Sequence, residues 1–343
     1  MDKKIKLFKN IWVSNFTRLS SPYKVTFALT YRCNLRCKIC KIWEKTAKEE
    51  MSVEEIEGIF KKLNNLSWLD LTGGEITLRQ EILDIVRVIL KCARKISVLH
   101  ISTNGQLPEK AVLLVKEITK FKLSPIVNIS LDGPEEINDQ LRGSQGAYRR
   151  SLETFKGIKK LKNNYCYLSC TLSGFNVNYI DKLLAGLRRD IPGFNLADLH
   201  FNLFHKSAHY YGNLNLDGPA ALSPELLKGY FTLSKKGNLI KFFLEAEYIK
   251  GLSKYLNGDN FPLRCQSLNA TCFIDPAGRV YPCGIYNADV GDLKEYDFNL
   301  DKLWNSENSL RARENIEKRN CPGCWSPCEA YPAILGSIIN WKR

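Results

Sequence analysis

The sequence has no long uncharged hydrophobic run. A membrane-spanning helix requires about 18 consecutive apolar residues, and the longest candidate, residues 330–341, is shorter and contains Pro, Gly, Ser and Asn. The sequence also has no internal repeat and no low-complexity tract, while 44% of its residues are hydrophobic and 25% are charged. These features exclude an integral membrane protein, a disordered chain and a collagen-like fold.

An export signal is also missing. The first nine residues are charged throughout and contain neither an uninterrupted apolar segment nor a small-residue cleavage site. The chain nevertheless contains 12 cysteines, which secreted proteins use for disulfides and cytosolic proteins use for metal or redox chemistry. We therefore predict a cytoplasmic protein whose cysteines are reduced and available to bind metal.

Negative charge is scarce relative to positive charge. The chain has 50 Lys and Arg against 36 Asp and Glu, which gives a formal net charge of +14. This excess favours an acidic partner, an anionic phosphate-bearing substrate or a membrane surface, and it is equally compatible with a role in solubility alone. The lysines are dispersed and no recognisable reading helix accompanies the cysteines, so we expect no specific nucleic-acid partner.

Residues 1–22 form an amphipathic segment ahead of the first predicted strand. Large apolar side chains recur there every three or four residues, with lysines nearby: Ile5, Phe8, Trp12, Phe16 and Leu19, and Lys3, Lys4, Lys6 and Lys9. This spacing predicts a helix. Packing on the domain behind it is the commoner arrangement for such a helix, and peripheral contact with a membrane surface is the alternative.

Strand and helix patterns alternate between residues 24 and 203. We predict strands at 24–29, 68–71, 97–101, 126–131, 167–172 and 198–203, and helices at 52–63, 81–94, 108–120, 148–162 and 180–189. Six such units predict an α/β fold with a parallel sheet, open or partly closed into a barrel. The chemistry of these sheets lies at the carboxyl ends of the strands.

The alternation ends near residue 204. We predict a loop over 205–219, helices near 224–236 and 239–255, and a region of short elements from residue 261 that contains a hairpin turn at 275–278. The resulting division of the chain is 1–22 for the amphipathic segment, 23–204 for the core, 205–260 for a helical connection and 261–343 for a small Cys-rich domain.

Three cysteines lie in the loop directly after the first predicted strand. Cys33, Cys37 and Cys40 have the spacing Cys-x3-Cys-x2-Cys. Three thiolates from one loop cannot complete a tetrahedral structural zinc site. They can hold three irons of a four-iron four-sulfur cluster and leave the fourth iron open to another ligand.

A second group of six cysteines lies in the last eighty residues. Its members are Cys265, Cys272, Cys283, Cys321, Cys324 and Cys328. A zinc site or a second iron–sulfur cluster would each stabilise such a small domain, and the spacing alone leaves both open. Cys92, Cys166 and Cys170 have no partner at metal-binding spacing and are expected to be buried as small hydrophobic residues.

These motifs resemble the radical S-adenosylmethionine (SAM) superfamily. The resemblance rests on Cys33-x3-Cys37-x2-Cys40 after strand one, Gly73-Gly74-Glu75 after strand two, and Ser130-Leu-Asp132-Gly133 after strand four. The C-terminal region is similar to the SPASM/twitch extensions of that superfamily, which hold auxiliary iron–sulfur clusters. The resemblance implies a partial (β/α)6 barrel with a small C-terminal Cys-rich iron–sulfur domain.

The resemblance assigns roles to individual residues. Cys33, Cys37 and Cys40 would hold the catalytic 4Fe-4S cluster whose open iron binds S-adenosyl-L-methionine. Glu75 would meet the methionine ammonium group, and Ile76 stands where the family usually has proline. The other positions matched to cofactor binding are Ile39, Gly73, Gly74, Asn104, Ser130 and Arg142. Of these, Ile39 would pack on adenine and Arg142 would bind the cofactor carboxylate, whereas Asn104 is equally explained as part of an Asn-Gly turn.

The SPASM resemblance is partial. Cys265, twelve residues, Gly278, four residues and Cys283 match the first segment of that motif, but the later cysteines are too few for a second auxiliary set. The resemblance therefore implies one auxiliary 4Fe-4S cluster with four ligands among the six C-terminal cysteines, and it leaves open which two are spare.

The resemblance also implies the reaction. Reductive cleavage of SAM would give a 5′-deoxyadenosyl radical that abstracts hydrogen from an unidentified substrate, for which a peptide or protein side chain is the first candidate. An anionic small molecule, a sugar or a lipid is the alternative, and a basic zinc-binding nucleic-acid protein is a remote one. A flavodoxin or ferredoxin would supply electrons. Candidate substrate-pocket residues follow strand six: His205, Lys206, His209, Tyr210 and Tyr211.

Overall fold

The computed structural model describes residues 2–45, 49–216, 239–258 and 263–339. Its strands are β1 (Lys24–Ala28), β2 (Trp68–Thr72), β3 (Val98–Thr103), β4 (Ile126–Ser130), β5 (Tyr165–Leu172), β6 (Leu199–Leu203), β7 (Thr271–Ile274), β8 (Arg279–Tyr281) and β9 (Gly291–Asp292). All six predicted strands of the core are confirmed. The hairpin turn also lies where it was predicted, between β7 and β8.

The described helices alternate with the strands of the core and then continue into the C-terminal region. They are α1 (Lys3–Ser14), α2 (Val53–Lys62), α3 (Ile82–Cys92), α4 (Pro108–Thr119), α5 (Glu135–Arg142), α6 (Ala147–Lys159), α7 (Ile180–Asp190), α8 (Leu239–Leu256), α9 (Leu300–Trp304), α10 (Glu307–Glu317) and α11 (Pro327–Ile339). None of them is long and apolar enough to cross a membrane. The predicted helix at 224–236 lies outside the described residues.

The nine strands form one sheet in the order β6-β5-β4-β3-β2-β1-β7-β8-β9. The first six strands are parallel, and β7 continues the sheet parallel to β1, whereas β8 and β9 are antiparallel. The order places β6 and β9 at the two edges of the described sheet, so the sheet is not closed. This arrangement confirms the predicted α/β partial barrel, and it attaches the Cys-rich region to it as extra strands.

Two hydrophobic clusters flank the sheet. One packs α2 and α3 against β1, β2 and β3 and also includes Cys272, Leu303 and Trp304 of the C-terminal region. The other packs α6 and α7 against β4, β5 and β6 and includes Trp325. Since the first cluster and the sheet both run from the core into the C-terminal region, the two predicted domains share one hydrophobic core.

Helix α1 packs on the protein with an unexpected face. The side chains of Lys6, Asn10, Ile11 and Ser14 are buried against the core, whereas the stripe formed by Ile5, Phe8, Trp12 and Phe16 is exposed. The helix also ends at Ser14, so only part of the predicted segment is helical. Packing on the domain is thus confirmed, but the apolar stripe is not the packed face.

Candidate active site and auxiliary cluster site

The cysteines of the first motif follow β1 in a loop at the carboxyl end of the sheet. Cys33, Cys37 and Cys40 line one cavity, hereafter the catalytic cavity. Burial raises the pKa of the Cys33 thiol to about 11 and that of Cys40 to about 12. These thiols therefore need a bound cation to ionise near neutral pH. Three such thiols on one wall fit the open-iron cluster that their spacing predicts.

Gly73 and Gly74 hold the loop after β2 against the start of the Cys loop. A Cβ atom on Gly73 would lie 2.4 Å from the Thr30 carbonyl oxygen, and one on Gly74 would lie 2.2 Å from that of Arg32. The amide of Gly74 donates to the Thr30 carbonyl at 2.7 Å. Because these carbonyl oxygens are so close, no larger residue fits at either position. Both glycines also line the catalytic cavity.

Glu75 lies behind the cavity wall. Its side chain is fully buried and is not among the residues that line the catalytic cavity. Its carboxylate accepts hydrogen bonds from the Thr77 amide and hydroxyl, the Thr103 hydroxyl at 2.8 Å and the Asn104 amide at 2.6 Å. Burial raises the pKa of Glu75, and these donors oppose the shift. These contacts place the Glu75 carboxylate against the Asn104 amide, and its contact with the methionine ammonium group stays a prediction.

Arg142 and Asp132 form a buried ion pair on the cavity wall. Arg142 Nη2 lies 2.7 Å from Asp132 Oδ2, and Arg142 Nη1 lies 3.8 Å from Cys37 Sγ. Burial raises the pKa of Asp132, and Arg142 opposes this shift. Arg142 Nε is buried with no hydrogen-bond partner in the described part of the chain. This orphaned donor, next to a cluster cysteine, fits the cofactor carboxylate that the sequence assigned to Arg142.

Asn104, Ser130 and Ile39 line the same cavity. Asn104 Nδ2 donates to Asn34 Oδ1 at 2.8 Å and lies 3.8 Å from Cys33 Sγ. Ser130 is the last residue of β4, so it lies at the carboxyl end of the sheet, as the Cys loop does. The structure therefore brings together all the predicted cofactor residues except the Glu75 side chain.

The loop after β6 closes another side of the cavity. Asn213 Nδ2 donates to the carbonyls of Ile39 and His205, which ties this loop to the Cys loop. The Tyr210 hydroxyl lies 2.7 Å from Thr72 Oγ1. Of the five residues predicted for the substrate pocket, His205, Tyr210 and Tyr211 line the cavity.

The remaining two predicted pocket residues point elsewhere. Lys206 is exposed, and His209 stacks on Tyr281 with a centroid distance of 4.2 Å. His209 Nε2 is hydrogen-bonded to the Cys283 carbonyl at 3.0 Å. Asn213 itself was missed, because a side chain that binds loop carbonyls leaves no spacing pattern in the sequence.

Polar side chains cover the strand face at the base of the cavity. Thr26, Asp70 and His100 lie side by side in register on β1, β2 and β3 and line the cavity. Asp70 also forms a buried ion pair with Lys24 at 2.8 Å. Burial opposes ionisation of Asp70, but the Lys24 charge lowers its pKa overall. Polar residues at alternating strand positions are a sequence signal that predicts such a polar strand face.

Four of the six C-terminal cysteines surround a second cavity of about 600 Å³. They are Cys265, Cys283, Cys321 and Cys324. We call this the auxiliary cavity. Burial raises the pKa of the Cys324 thiol to about 12, so a cation is again needed for ionisation. A donor set of four thiols around a space of this size fits an iron–sulfur cluster with all four irons ligated by protein.

The other two C-terminal cysteines lie away from the auxiliary cavity. Cys272 is on β7, opposite Val25 of β1, and is buried in the hydrophobic core. Cys328, near the start of α11, lines the catalytic cavity instead. Both were included as candidate metal ligands on the basis of sequence. The structure identifies them as the two that do not border the auxiliary cavity.

Within the described ranges, no group of three or more His, Cys, Asp or Glu side chains is arranged to hold a single metal ion. Cys166 and Cys170 are buried in the hydrophobic core, and Cys92 packs against it. The expectation of burial is thus confirmed for Cys166 and Cys170, whereas Cys92 is half-buried.

Comparison with known proteins gives two family matches. The Radical SAM superfamily model matches residues 27–185, and the SPASM iron-sulfur cluster-binding domain model matches residues 265–336. Together the matches span about two thirds of the chain. They contain the Cys loop and all six C-terminal cysteines, respectively.

Individual relatives agree with these matches. The chain is 27% identical over 342 residues to the mycofactocin maturase MftC of Mycolicibacterium smegmatis, covering 96% of this chain and 81% of MftC. It is 33% identical over 175 residues to the antilisterial bacteriocin subtilosin biosynthesis protein AlbA of Bacillus subtilis, covering 49% of this chain but only 37% of AlbA.

A solved structure shares the fold. SuiB of Streptococcus suis, bound to its precursor peptide SuiA, superposes with a TM-score of 0.60 at 16% identity, covering 89% of this chain and 70% of SuiB. With the cluster loop, the cofactor wall and the four-cysteine cavity in place, these matches show that the chain belongs to the radical SAM superfamily and carries a C-terminal SPASM iron–sulfur domain.

Proposed function

We propose that Cys33, Cys37 and Cys40 hold the catalytic cluster and that S-adenosylmethionine lies between this cluster and Arg142. Bound there and given one electron by the reduced cluster, SAM would supply the 5′-deoxyadenosyl radical chemistry that removes a hydrogen atom from the substrate. Arg142 Nε, buried without a hydrogen-bond partner among the described residues, would donate to the cofactor carboxylate. Asp132 holds the guanidinium in place for this contact.

The other cavity residues have distinct roles in this proposal. Gly73 and Gly74 let the backbone approach the cofactor closely, and Glu75 fixes the loop that carries Asn104. Ile39 supplies an apolar surface for the adenine ring, and Ser130 contacts the cofactor from the end of β4. We assign the auxiliary cluster to Cys265, Cys283, Cys321 and Cys324, because these four share one cavity.

We propose that the substrate is a peptide or a protein segment. The observation that carries this proposal is that the catalytic cavity is bounded by both regions of the chain. Its lining includes the Cys loop and the strand ends on one side and Phe273, Ile285 and Ser326 of the SPASM region on the other. MftC is named a maturase, and SuiB is bound to a precursor peptide, which supports a peptide for this chain as well.

The charge of the cavity argues against an anionic small molecule. Arg142 is paired with Asp132, and Asp70 adds another carboxylate to the lining. Burial lowers the pKa of His205 to about 4, so this lining residue is neutral near pH 7. The described lining therefore offers no unpaired cation.

The test uses anaerobically reconstituted full-length protein with a chemical reductant and SAM. Candidate peptides, encoded by short reading frames next to the gene, are supplied with deuterium in place of hydrogen. We expect peptide-dependent formation of 5′-deoxyadenosine that carries deuterium, and none with the Cys33→Ala variant. Deuterium transfer from a sugar or lipid, with none from any peptide, would overturn the peptide proposal and leave radical SAM chemistry intact.

We also propose that an acidic flavodoxin or ferredoxin docks on the Cys loop. Arg36 and Lys38 alternate with buried residues of this loop and project into solvent beside the cluster cysteines. In an Arg36→Glu/Lys38→Glu variant we expect flavodoxin-driven SAM cleavage to fall about tenfold or more at low salt. Dithionite-driven cleavage serves as the control and is expected to change little. Equal losses with both reductants would contradict a docking role.

We place the protein in the cytoplasm. All twelve cysteines carry free thiols, and eight of them line the two proposed cluster sites. Such thiols are typical of a reducing compartment. Retention of the clusters in protein purified anaerobically from cytosolic fractions tests this assignment.

A further inference from the structure

Helix α1 and the turn that follows it expose a stripe of large apolar side chains to solvent. The exposed fractions are 59% for Ile5, 60% for Phe8, 48% for Trp12 and 60% for Phe16. Spacings of three and four residues place these side chains along one face. Among the described residues, nine large hydrophobic side chains are exposed, and these four are the ones that form a continuous stripe. Scattered exposed apolar residues need no explanation, but a stripe does.

Polar contacts fix the orientation of this helix. Lys6 Nζ donates to the Asn64 carbonyl, and Asn10 Nδ2 donates to Ser67 Oγ at 3.2 Å. Asn269 Nδ2 donates to the Ser14 carbonyl at 2.6 Å from the other side. Burying polar groups costs free energy unless they are paired, so these contacts specify the packed face. The apolar stripe is therefore directed outward by the fold.

The stripe has a basic border. Lys4 and Lys9 are exposed on the same helix, one on each side of the stripe, and the chain as a whole carries a net charge of +14. An apolar face bordered by lysines is typical of helices that lie in the interface of an anionic bilayer. A second copy of the chain fits less well, because a dimer through the stripe would bring the lysines of both copies together.

Helix α1 lies at the opposite end of the parallel strands from the catalytic cavity. Its side-chain hydrogen bonds are with residues that precede β2 and β7, namely Asn64, Ser67 and Asn269, and it packs on the end of α11 near Leu335. The hydrogen-bonded residues mark the amino ends of parallel strands, whereas the catalytic cavity lies at the carboxyl ends. A surface bound by α1 would thus leave the cavity facing away from it.

We propose that α1 anchors this enzyme on an anionic lipid surface, with Ile5, Phe8, Trp12 and Phe16 inserted and the lysines at the headgroups. The anchor lies in the plane of the interface and does not span the bilayer. It is independent of the proposed substrate, because no residue of α1 lines the catalytic cavity.

The test is flotation of the full-length, cluster-loaded protein with vesicles of phosphatidylcholine and phosphatidylglycerol in equal parts. We expect binding to these vesicles that weakens at high salt, and about tenfold less binding to pure phosphatidylcholine. A Phe8→Ser/Trp12→Ser variant is expected to bind about tenfold or more weakly. Lys4→Glu/Lys9→Glu, which leaves the apolar stripe intact, is expected to lose most of its preference for phosphatidylglycerol.

Phe175→Ser is the matched control, because Phe175 is 50% exposed but lies outside the stripe. It is expected to bind like the parent. All variants should keep the parent rate of SAM cleavage without vesicles, which shows that they are folded and separates this test from that of the catalytic proposal. The anchor is overturned if the parent ignores anionic vesicles or if Phe175→Ser weakens binding equally. It is also overturned if Phe8→Ser/Trp12→Ser abolishes a dimer of the parent in sedimentation without altering vesicle binding.

Discussion

The two cysteine sites are assembled in different ways. The three cysteines of the catalytic site come from eight consecutive residues in one loop, whereas the four that border the auxiliary cavity span residues 265–324. The catalytic loop is held by a local backbone contact, the Cys40 amide to the Cys37 carbonyl at 3.3 Å, and by distant ones such as the Lys38 amide to the Leu141 carbonyl at 2.8 Å. The auxiliary cavity exists only when the segments before β7, after β8 and before α11 are packed together. A loop motif thus defines the first site, and tertiary packing defines the second.

The two sites also differ in what completes them. The catalytic cavity offers three thiols and a buried Arg142–Asp132 pair, which leaves room for a small-molecule ligand on the open iron. The auxiliary cavity offers four thiols, enough to ligate every iron of a four-iron cluster. The difference indicates that only the first site is built to exchange ligands.

The largest expected effect separates the two sites by function. Cys33→Ala should abolish 5′-deoxyadenosine formation, because it removes a ligand of the cluster that cleaves SAM. Iron content should fall from about eight to about four per chain. Cys321→Ala should lose a similar amount of iron but still cleave SAM in the absence of substrate. Iron analysis with electron paramagnetic resonance checks both, and full iron in Cys321→Ala would contradict the four-cysteine assignment.

The second prediction concerns the two cysteines left out of the auxiliary cavity. Cys272→Ala and Cys328→Ala should retain about eight irons per chain, in contrast with Cys321→Ala. Cys272→Ala should cost about 1–2 kcal/mol of stability through lost core packing. Cys328→Ala should change the catalytic cavity without changing iron. A loss of about four irons in either variant would place that cysteine among the ligands.

The third prediction concerns the catalytic site alone. Arg142→Lys keeps the positive charge beside Asp132 but removes the Nε donor and the planar fork. We expect the KM for SAM to rise about tenfold or more, with cluster content unchanged. Arg149→Lys is a suitable control, because Arg149 is also paired with a carboxylate, that of Glu135, but on the surface. Equal responses of the two variants would rule out a special role for Arg142.

The fourth prediction concerns a property that the two sites share. Burial lowers the pKa of both His205, beside the catalytic cavity, and His209, which contacts the Cys283 carbonyl, to about 4. The unfolded chain takes up a proton near pH 6.5 and the folded chain does not, so the free energy of unfolding falls as pH drops from about 6.5 to 4. Each histidine accounts for about 3 kcal/mol over that range.

Anaerobic urea unfolding at several pH values checks this expectation. The difference in unfolding free energy between the parent and His205→Asn should shrink as pH falls, and His209→Asn should behave alike. A difference that is constant with pH would show that burial does not shift the pKa of that histidine.

The sequence predicted the strands and helices of the core well, since each carries a clear apolar period. It missed α5, whose eight residues include only two apolar side chains, Ile137 and Leu141. It also treated the Cys-rich region as a separate domain, although β7 pairs with β1 and Cys272 enters the shared core. Pairing between strands some 245 residues apart leaves no periodic signal in either segment.

The structure brings predicted site residues from three segments of the chain into one cavity. Cys33, Cys37 and Cys40, the glycine pair and Arg142 all reach the catalytic cavity. Glu75 did not, because its carboxylate is satisfied by Thr77, Thr103 and Asn104, two of which come from the next strand and its loop. The sequence shows that a carboxylate is present at position 75, but which donors bind it depends on the tertiary structure.

By itself, the sequence determined the α/β repeat and the catalytic cysteine motif, because strand period and loop spacing are local properties. Only the tertiary structure decided which four C-terminal cysteines share a cavity, that Cys328 faces the catalytic side, and which face of α1 is packed. In α1 the apolar stripe points outward and Lys6, Asn10 and Ser14 point inward. The physical reason is that burial depends on the partners a distant segment supplies, such as the carbonyl of Asn64 for Lys6, and not on apolar spacing alone.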